Sequence, residues 1–182
     1  MTPRTDIAIV GAGLAGAAAA LALSRAGWRV TLIERAAPPP PAADWDARIY
    51  ALAPASQTLL ETLGAWQRIA PDRIQPVYRM DVAGDAGGRI VLDAYRAGVP
   101  QLAAIVENSR VQHALWQALE ADGAVELRCP AQLAGIRFAA PASTLDFTDG
   151  STLAAKLVVG ADGRGSKVRE YAGLAATETP YG

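Results

Sequence analysis

Six residues near the start of the chain, Gly11-Ala12-Gly13-Leu14-Ala15-Gly16, set glycine at the first, third and sixth positions of a G-x-G-x-x-G turn. Each glycine has a physical task in a dinucleotide-binding loop. Gly11 lets the backbone turn tightly, Gly13 has no Cβ and so admits a pyrophosphate to the main chain, and Gly16 lets a helix pack closely. The N-terminus of that helix offers its free N–H groups and positive dipole end to the phosphates. Glu34 follows 18 residues after Gly16, where a carboxylate can accept the hydroxyls of an adenosine ribose and disfavours a 2′-phosphate. The pair therefore suits FAD or NAD rather than NADP. A glycine-rich turn without a nucleotide has the same letters, so context must decide.

Other residues offer less. His113 neighbours Ala114 and Leu115 with no carboxylate close in sequence, and reads as a helix-surface residue. Cys129, between Arg128 and Pro130, reads as an inert strand residue. Asp149-Gly150 is a hairpin turn, and Asp162-Gly163 taken alone is a tight turn after a strand. Arg48 taken alone is a surface partner for Asp46 or Asp44. The four tryptophans are dispersed and read as packing residues.

The elements around the glycine turn supply the context. Asp6–Val10 is a short, β-branched, buried strand. Leu14–Ala26 is dense in Ala and Leu with no β-branched residue, a strong helix former that Gly27 stops. Arg29–Glu34 is a second strand, so strand, turn, helix and strand form one βαβ unit. Pro38-Pro39-Pro40-Pro41 then forbids regular structure across Ala36–Ala43. A helix is predicted over Ser56–Leu63 with Ser56 as N-cap, strands over Gln75–Val82 and Arg89–Asp93, and a second strong helix over Ser109–Ala121. Short strands follow at Val125–Arg128, Gln132–Phe138, Thr144–Phe147, Thr152–Leu153 and Lys156–Gly160. Ser166 caps a final helix, Lys167–Ala172. This order describes an α/β dinucleotide fold with inserted β structure.

Composition narrows the classes further. The chain has 182 residues, is 51% apolar and carries a net charge of −1. That is enough apolar material for a core, and it lacks the basic footprint of a nucleic-acid binder. One cysteine and one histidine leave no material for an internal disulfide, a Cys-based zinc site or a His-rich metal cluster. Demanding redox chemistry must come from a bound cofactor. Ile7–Leu23 is all apolar or glycine and follows Arg4, which imitates a signal peptide. Asp6 at its mouth, the regularly spaced glycines and the strand that follows favour the βαβ reading.

A second motif distinguishes the cofactors through resemblance. Lys156–Arg169, KLVVGADGRGSKVR, closely resembles the "DG" motif of the aromatic-ring flavoprotein monooxygenases (p-hydroxybenzoate hydroxylase-like). Asp46-Ala47-Arg48 with Ile49–Leu52 resembles that family's arginine segment beside the flavin. Val106-Glu107-Asn108 and Leu60–Trp66 fit the same alignment in the same order, and the ubiquinone-biosynthesis hydroxylase branch is the nearest likeness. The resemblance implies an FAD-type Rossmann, three-layer nucleotide-binding fold with an inserted β-meander and a small piece of a substrate domain. Residues 1–70 would be the first part of the FAD-binding domain, 71–103 a partial substrate-domain segment and 104–182 the second part.

The resemblance also implies chemistry. Family members hold FAD, take electrons from NADPH or NADH, and use a flavin C4a-hydroperoxide formed with O2 to hydroxylate a phenolic ring. Carried over, Gly11 to Gly16 line the pyrophosphate, Glu34 binds the ribose with Arg35 beside it, and Arg48 offers its fork to phosphate oxygens. Asn108 reaches the flavin side, and Asp162 and Gly163 serve FAD and the nicotinamide nucleotide. No side chain is assigned the catalytic step, and no metal is implied. The family's later "GD" segment and main substrate sheet do not occur before Gly182, so an N-terminal portion, inactive alone, is expected. The expected partners are a small aromatic or phenolic substrate, here a polyprenyl phenol, and O2, with a biosynthetic complex or a homo-oligomer as further options and no nucleic acid. The expected location is the cytoplasm, including the inner membrane surface. A prenyl reductase or halogenase of similar architecture, a flavin-free NAD dehydrogenase and a non-catalytic dinucleotide-fold module are the competing readings.

Overall fold

The computed structural model describes residues 4–177 and 179. The chain divides into two compact units, one made of the chain up to Pro38 together with Leu119 onward, the other of Pro39–Ala118.

In the first unit, β1 (Arg4–Val10), α1 (Leu14–Arg25) and β2 (Val30–Ile33) form the expected βαβ unit. The apolar run that imitates a signal peptide is thus a buried strand, a turn and a helix. These strands join β8 (Glu126–Arg128), β9 (Leu133–Arg137), β10 (Ser143–Phe147) and β11 (Thr152–Gly160) in one sheet of order β8-β2-β1-β11-β10-β9. β8, β2, β1 and β11 are mutually parallel, while β10 pairs antiparallel with β11 and with β9. The last three strands are the inserted meander. α5 (Lys167–Tyr171) follows β11, with the Ser166 side chain capping Arg169 N–H as expected.

The sheet's core follows from its strand composition. Ala8, Val10, Ile33, Leu145, Phe147, Leu153 and Ala155 pack with Val168 of α5 in one buried cluster. Runs such as Val30–Ile33 are buried at every position, the signature of a parallel strand covered on both faces. α1 buries its small residues Gly16, Ala17 and Ala20 with Leu21, so a close approach, not bulk, seats it.

One strand of this sheet differs from its predicted form. Thr152–Leu153 and Lys156–Gly160 are one nine-residue strand, β11. Ala154 and Ala155 have weak strand propensity, but they are clamped by β1 on one side and β10 on the other, and this pairing overrides propensity.

In the second unit, β3 (Ile49–Leu52), β4 (Ile74–Val77) and β7 (Ala103–Glu107) form a three-stranded antiparallel sheet with β7 in the middle. β5 (Arg79–Ala83) and β6 (Arg89–Asp93) form a separate hairpin. The run predicted as Gln75–Val82 therefore breaks at Tyr78 and feeds two sheets. Pro76 is tolerated because β4 is an edge strand. Helix α2 (Pro54–Thr62) starts earlier than predicted: Ala53 is its N-cap, not Ser56, because Pro54 has its φ preset for the first helical position. A short helix α3 (Ala94–Ala97), capped by the Asp93 side chain, precedes β7. α4 (Asn108–Asp122) follows directly and continues past Ala118 into the first unit, and its Val111, Ala114, Leu115, Trp116, Ala118 and Leu119 are buried at helical spacing. Trp28 and Trp45 are 51% and 73% exposed, unlike the packing role read for the tryptophans.

Candidate functional site

The G-x-G-x-x-G loop lies at the C-terminal end of β1, the edge at which α/β sheets bind ligands. Its three glycines are set apart by what a side chain would meet. Gly11 has φ of 101°, and a Cβ there would lie 2.5 Å from the Ala161 carbonyl oxygen. A Cβ on Gly16 would overlap the Gly11 carbonyl oxygen itself. These two glycines let α1 and the turn after β11 close around β1. Gly13 is different: a Cβ there would have no atom within 4 Å. It is the N-cap of α1, no side chain caps that end, and no acidic residue stands in the first turn. The first helical hydrogen bond is donated by Ala17 N–H to the Gly13 carbonyl. The helix thus presents its first amide donors and positive dipole beside open space, the requirement of an anionic group such as a pyrophosphate. Around that end Ala12 is buried, Leu14 half-buried and Ala15 exposed.

Glu34, just past β2, is half-buried. Its Oε2 accepts the Ala12 N–H at 2.7 Å and its Oε1 accepts those of Arg35 at 2.7 Å and Ala36 at 3.3 Å. The carboxylate therefore shapes the glycine turn as well as facing the cleft beside it. That cleft, of about 470 Å³, is lined by Gly11, Glu34, Arg35, Asp162, Gly165, Lys167, Tyr171 and the Ala131–Leu133 segment among others. It falls within the range of small-molecule sites, roughly 300–1,000 Å³.

Asp162 brings the "DG" turn into the same cleft. Its Oδ1 accepts the Ser166 hydroxyl at 2.6 Å, and its Oδ2 accepts the N–H groups of Lys167 at 2.6 Å and Val168 at 3.2 Å. Gly163, with φ of 81°, makes the turn that returns the chain to α5. Burial works to raise the Asp162 carboxyl, but the bonds from Ser166, Val168 and Lys167 outweigh it and hold the group below its ordinary value. Because the folded-state pKa is depressed, the stabilisation is complete above the ordinary carboxylate range and is lost as pH falls through the lowered value. Asp162→Asn is expected to loosen α5 and to flatten the acid limb of the stability profile. Urea unfolding of both proteins at neutral and acid pH tests this; parallel profiles would refute it.

In the second unit, Arg48 and Asn108 are backbone neighbours: Asn108 N–H donates to the Arg48 carbonyl at 2.8 Å, in continuation of the β3–β7 register. The Arg48 side chain is exposed and lies over the Tyr50 ring, 5.8 Å from its centroid. Asp46 accepts the Arg48 backbone N–H at 2.9 Å, so the two meet through the main chain rather than as the ion pair that sequence also allows. Of the twelve residues singled out from sequence, Gly11, Glu34, Arg35 and Asp162 line one cleft with the rest of the glycine loop and Gly163 beside them.

Sequence reasoning missed the cleft wall at Ala131–Leu133 and the contributions of Lys167 and Tyr171. The Tyr171 hydroxyl donates to the Ala134 carbonyl at 2.9 Å and ties α5 to β9. No local pattern marks a wall made of connecting backbone. Two minor residues are also clarified. His113 is half-buried rather than on the surface, with its Nδ1 fully buried. Cys129 lies just beyond β8, and burial with the nearby Glu34 charge pushes its thiol up, which suits an inert residue. Among the described residues there is no His/Cys/Asp/Glu group able to hold a metal ion, and no helix is long and apolar enough to cross a membrane.

A family profile described as FAD binding domain matches residues 4–181. The 3-demethoxyubiquinol 3-hydroxylase of Escherichia coli K12 is 41% identical over 179 residues, covering 97% of this chain and 46% of that protein. Ubiquinone hydroxylase UbiL of Rhodospirillum rubrum is 36% identical over 179 residues, covering 97% of this chain and 41% of that protein. The chain spans less than half the length of these curated relatives. Among solved structures, PqsL, a probable FAD-dependent monooxygenase from Pseudomonas aeruginosa, superimposes with a TM-score of 0.76 at 23% identity, over 98% of this chain and 48% of that one, a likeness of fold.

Proposed function

The chain belongs to the FAD-binding-domain family, and on that premise we propose that it is the cofactor-holding part of an FAD-dependent hydroxylase acting on a phenolic ring in ubiquinone biosynthesis. The observation that carries the FAD site is the uncapped N-terminus of α1 beside the open face of Gly13. The substrate class rests on the relatives, which are named as a 3-demethoxyubiquinol 3-hydroxylase and a ubiquinone hydroxylase. The overall reaction adds one atom of O2 to the ring and releases the other as water, while NADPH or NADH is oxidised and one proton is consumed.

Bound FAD would supply the two-electron relay between the nicotinamide and O2. The protein's part is to bind and orient it. Amides of the Gly11–Gly16 loop take the pyrophosphate, Gly13 permits their approach, and Glu34 accepts the ribose hydroxyls with Arg35 beside it. Arg48 directs its guanidinium to phosphate oxygens and Asn108 serves the flavin side. Asp162 and Gly163 form the turn shared by FAD and the nicotinamide nucleotide. In this reading residues 1–70 and 104–182 serve the cofactor and 71–103 begin the part that encloses the substrate. A polyprenyl phenol would bring the enzyme to the inner membrane surface, in a biosynthetic complex or as a homo-oligomer.

The complete protein should purify with, or take up, flavin, and a polyprenyl phenol should stimulate its oxidation of NADPH or NADH. Isotope-labelled O2 should place one labelled oxygen on the ring. A complete protein that binds no flavin when FAD is supplied, or whose phenol gains no oxygen, overturns the proposal.

A further inference from the structure

The segment that carries Arg48 has little regular structure, yet it is closely tied down. It follows the four prolines and precedes β3. Glu107, at the end of β7, is 2% exposed and lies at the centre of its attachments. The Glu107 carboxylate receives a two-pronged pair from Arg73, Nε to Oε2 at 2.8 Å and Nη2 to Oε1 at 2.7 Å, and also accepts the Asp46 N–H at 2.7 Å. The same Arg73 guanidinium donates to the carbonyls of Ala43 and Asp44 at 3.3 and 3.2 Å. It stacks on the Trp45 ring 3.9 Å from the centroid. Asp46 in turn accepts the N–H groups of Arg48 at 2.9 Å and Ser109 at 3.1 Å. Both backbone groups of Arg48 are therefore held, its N–H by Asp46 and its carbonyl by Asn108.

A buried ion pair is a costly way to gain stability alone, since well-packed apolar residues often do as well. It is a suitable way to hold irregular backbone, whose polar groups have no ladder partners and must be satisfied by side chains. Arg73 makes four hydrogen bonds, two of them paired to one carboxylate, and a lysine, with three donors on a single nitrogen, cannot replace them all. Hydrogen bonding from Arg73 also keeps Glu107 below the ordinary carboxylate range against its burial, so the charge is maintained.

We infer that Glu107 and Arg73 are positioning residues that, through Asp46, fix the backbone of the Arg48 segment for the role that the FAD reading gives Arg48. The inference rests on the FAD reading above and deepens it. Each acts by removing the freedom Arg48 would otherwise lose on binding.

The test is a double-mutant cycle on FAD affinity in the complete protein, read by quenching of flavin fluorescence. Arg48→Met and Glu107→Gln should each weaken FAD roughly tenfold, and the double variant should also be weakened roughly tenfold rather than about a hundredfold. Arg73→Lys should fall between wild type and Glu107→Gln. Hydrogen exchange of the 43–48 amides should accelerate in Glu107→Gln and not in Arg48→Met, a readout independent of turnover. If Glu107→Gln does not fold, Asp46→Asn takes its place in the same cycle, because it loosens the bond to Arg48 N–H from a less buried position. Additive effects, or an Arg48→Met that binds FAD normally, overturn the inference while leaving the FAD reading intact. A wild-type protein that binds no FAD overturns both.

Discussion

Gly16→Val should yield little or no folded protein. The residue lies in the first turn of α1, where the helix passes over the Gly11 carbonyl, and a Cβ there would overlap that oxygen and press on the Ala161 Cβ. Neither obstacle is the far end of a flexible side chain that could swing aside. Relief would require moving α1 off β1, and with it the buried Ala17, Ala20 and Leu21. Backbone overlap combined with loss of a helix–sheet contact belongs to the exceptional class of substitutions, costing roughly 4 kcal/mol or more, a large part of a domain's stability. Gly11→Ala should be similarly damaging for two reasons, a φ of 101° that L-residues avoid and a Cβ 2.5 Å from the Ala161 oxygen. The measurement is denaturant unfolding of the cofactor-free protein followed by far-UV circular dichroism. A wild-type midpoint for Gly16→Val would show that the helix sits farther from the turn than described.

The contrast between these glycines shows how far local sequence carries. The βαβ unit was legible because strand, turn and helix are contiguous and each has its own signal: β-branched residues in Ile7–Val10, alanine density in α1, and glycine spacing between them. The final Ser166-capped helix was legible for the same reason. What escaped was non-local. β3 and β7 have short, ordinary sequences and became strands because β7 pairs on both sides, with β3 and with β4. Ala154 and Ala155 became strand through two flanking partners. Around the candidate site, the letters G-x-G-x-x-G and Asp-Gly located the turns but not the use of their side chains. Glu34 spends part of its carboxylate on the Ala12 amide, and Asp162 caps the start of α5. The link from Arg73 to Glu107 spans 34 positions, and no periodicity connects them. Chemistry carried by a contiguous loop can be read from one chain segment. Chemistry carried by a buried pair appears only once the fold brings its members together.

Gly13→Val should separate folding from binding. The backbone of Gly13 is ordinary, with φ of −65°, and a Cβ there meets nothing within 4 Å. The folded state therefore has room for the side chain, and the expected loss is that of a poorer N-cap, about 1 kcal/mol. The consequence for an anion at the α1 N-terminus is much larger. The amides of the first turn can bond a pyrophosphate only if its oxygens come within about 3 Å of them, and an isopropyl group at Gly13 stands in that approach. FAD affinity should fall at least about a hundredfold, since several charge-assisted bonds would be stretched or lost at once. Thermal unfolding of the cofactor-free protein should shift by only a few degrees, while the rise in melting temperature on adding FAD should vanish at concentrations that protect the wild type. Full FAD affinity in Gly13→Val would remove the loop from the cofactor site. Loss of folding would instead place Gly13 with Gly11 and Gly16, as a residue the structure needs even without a ligand.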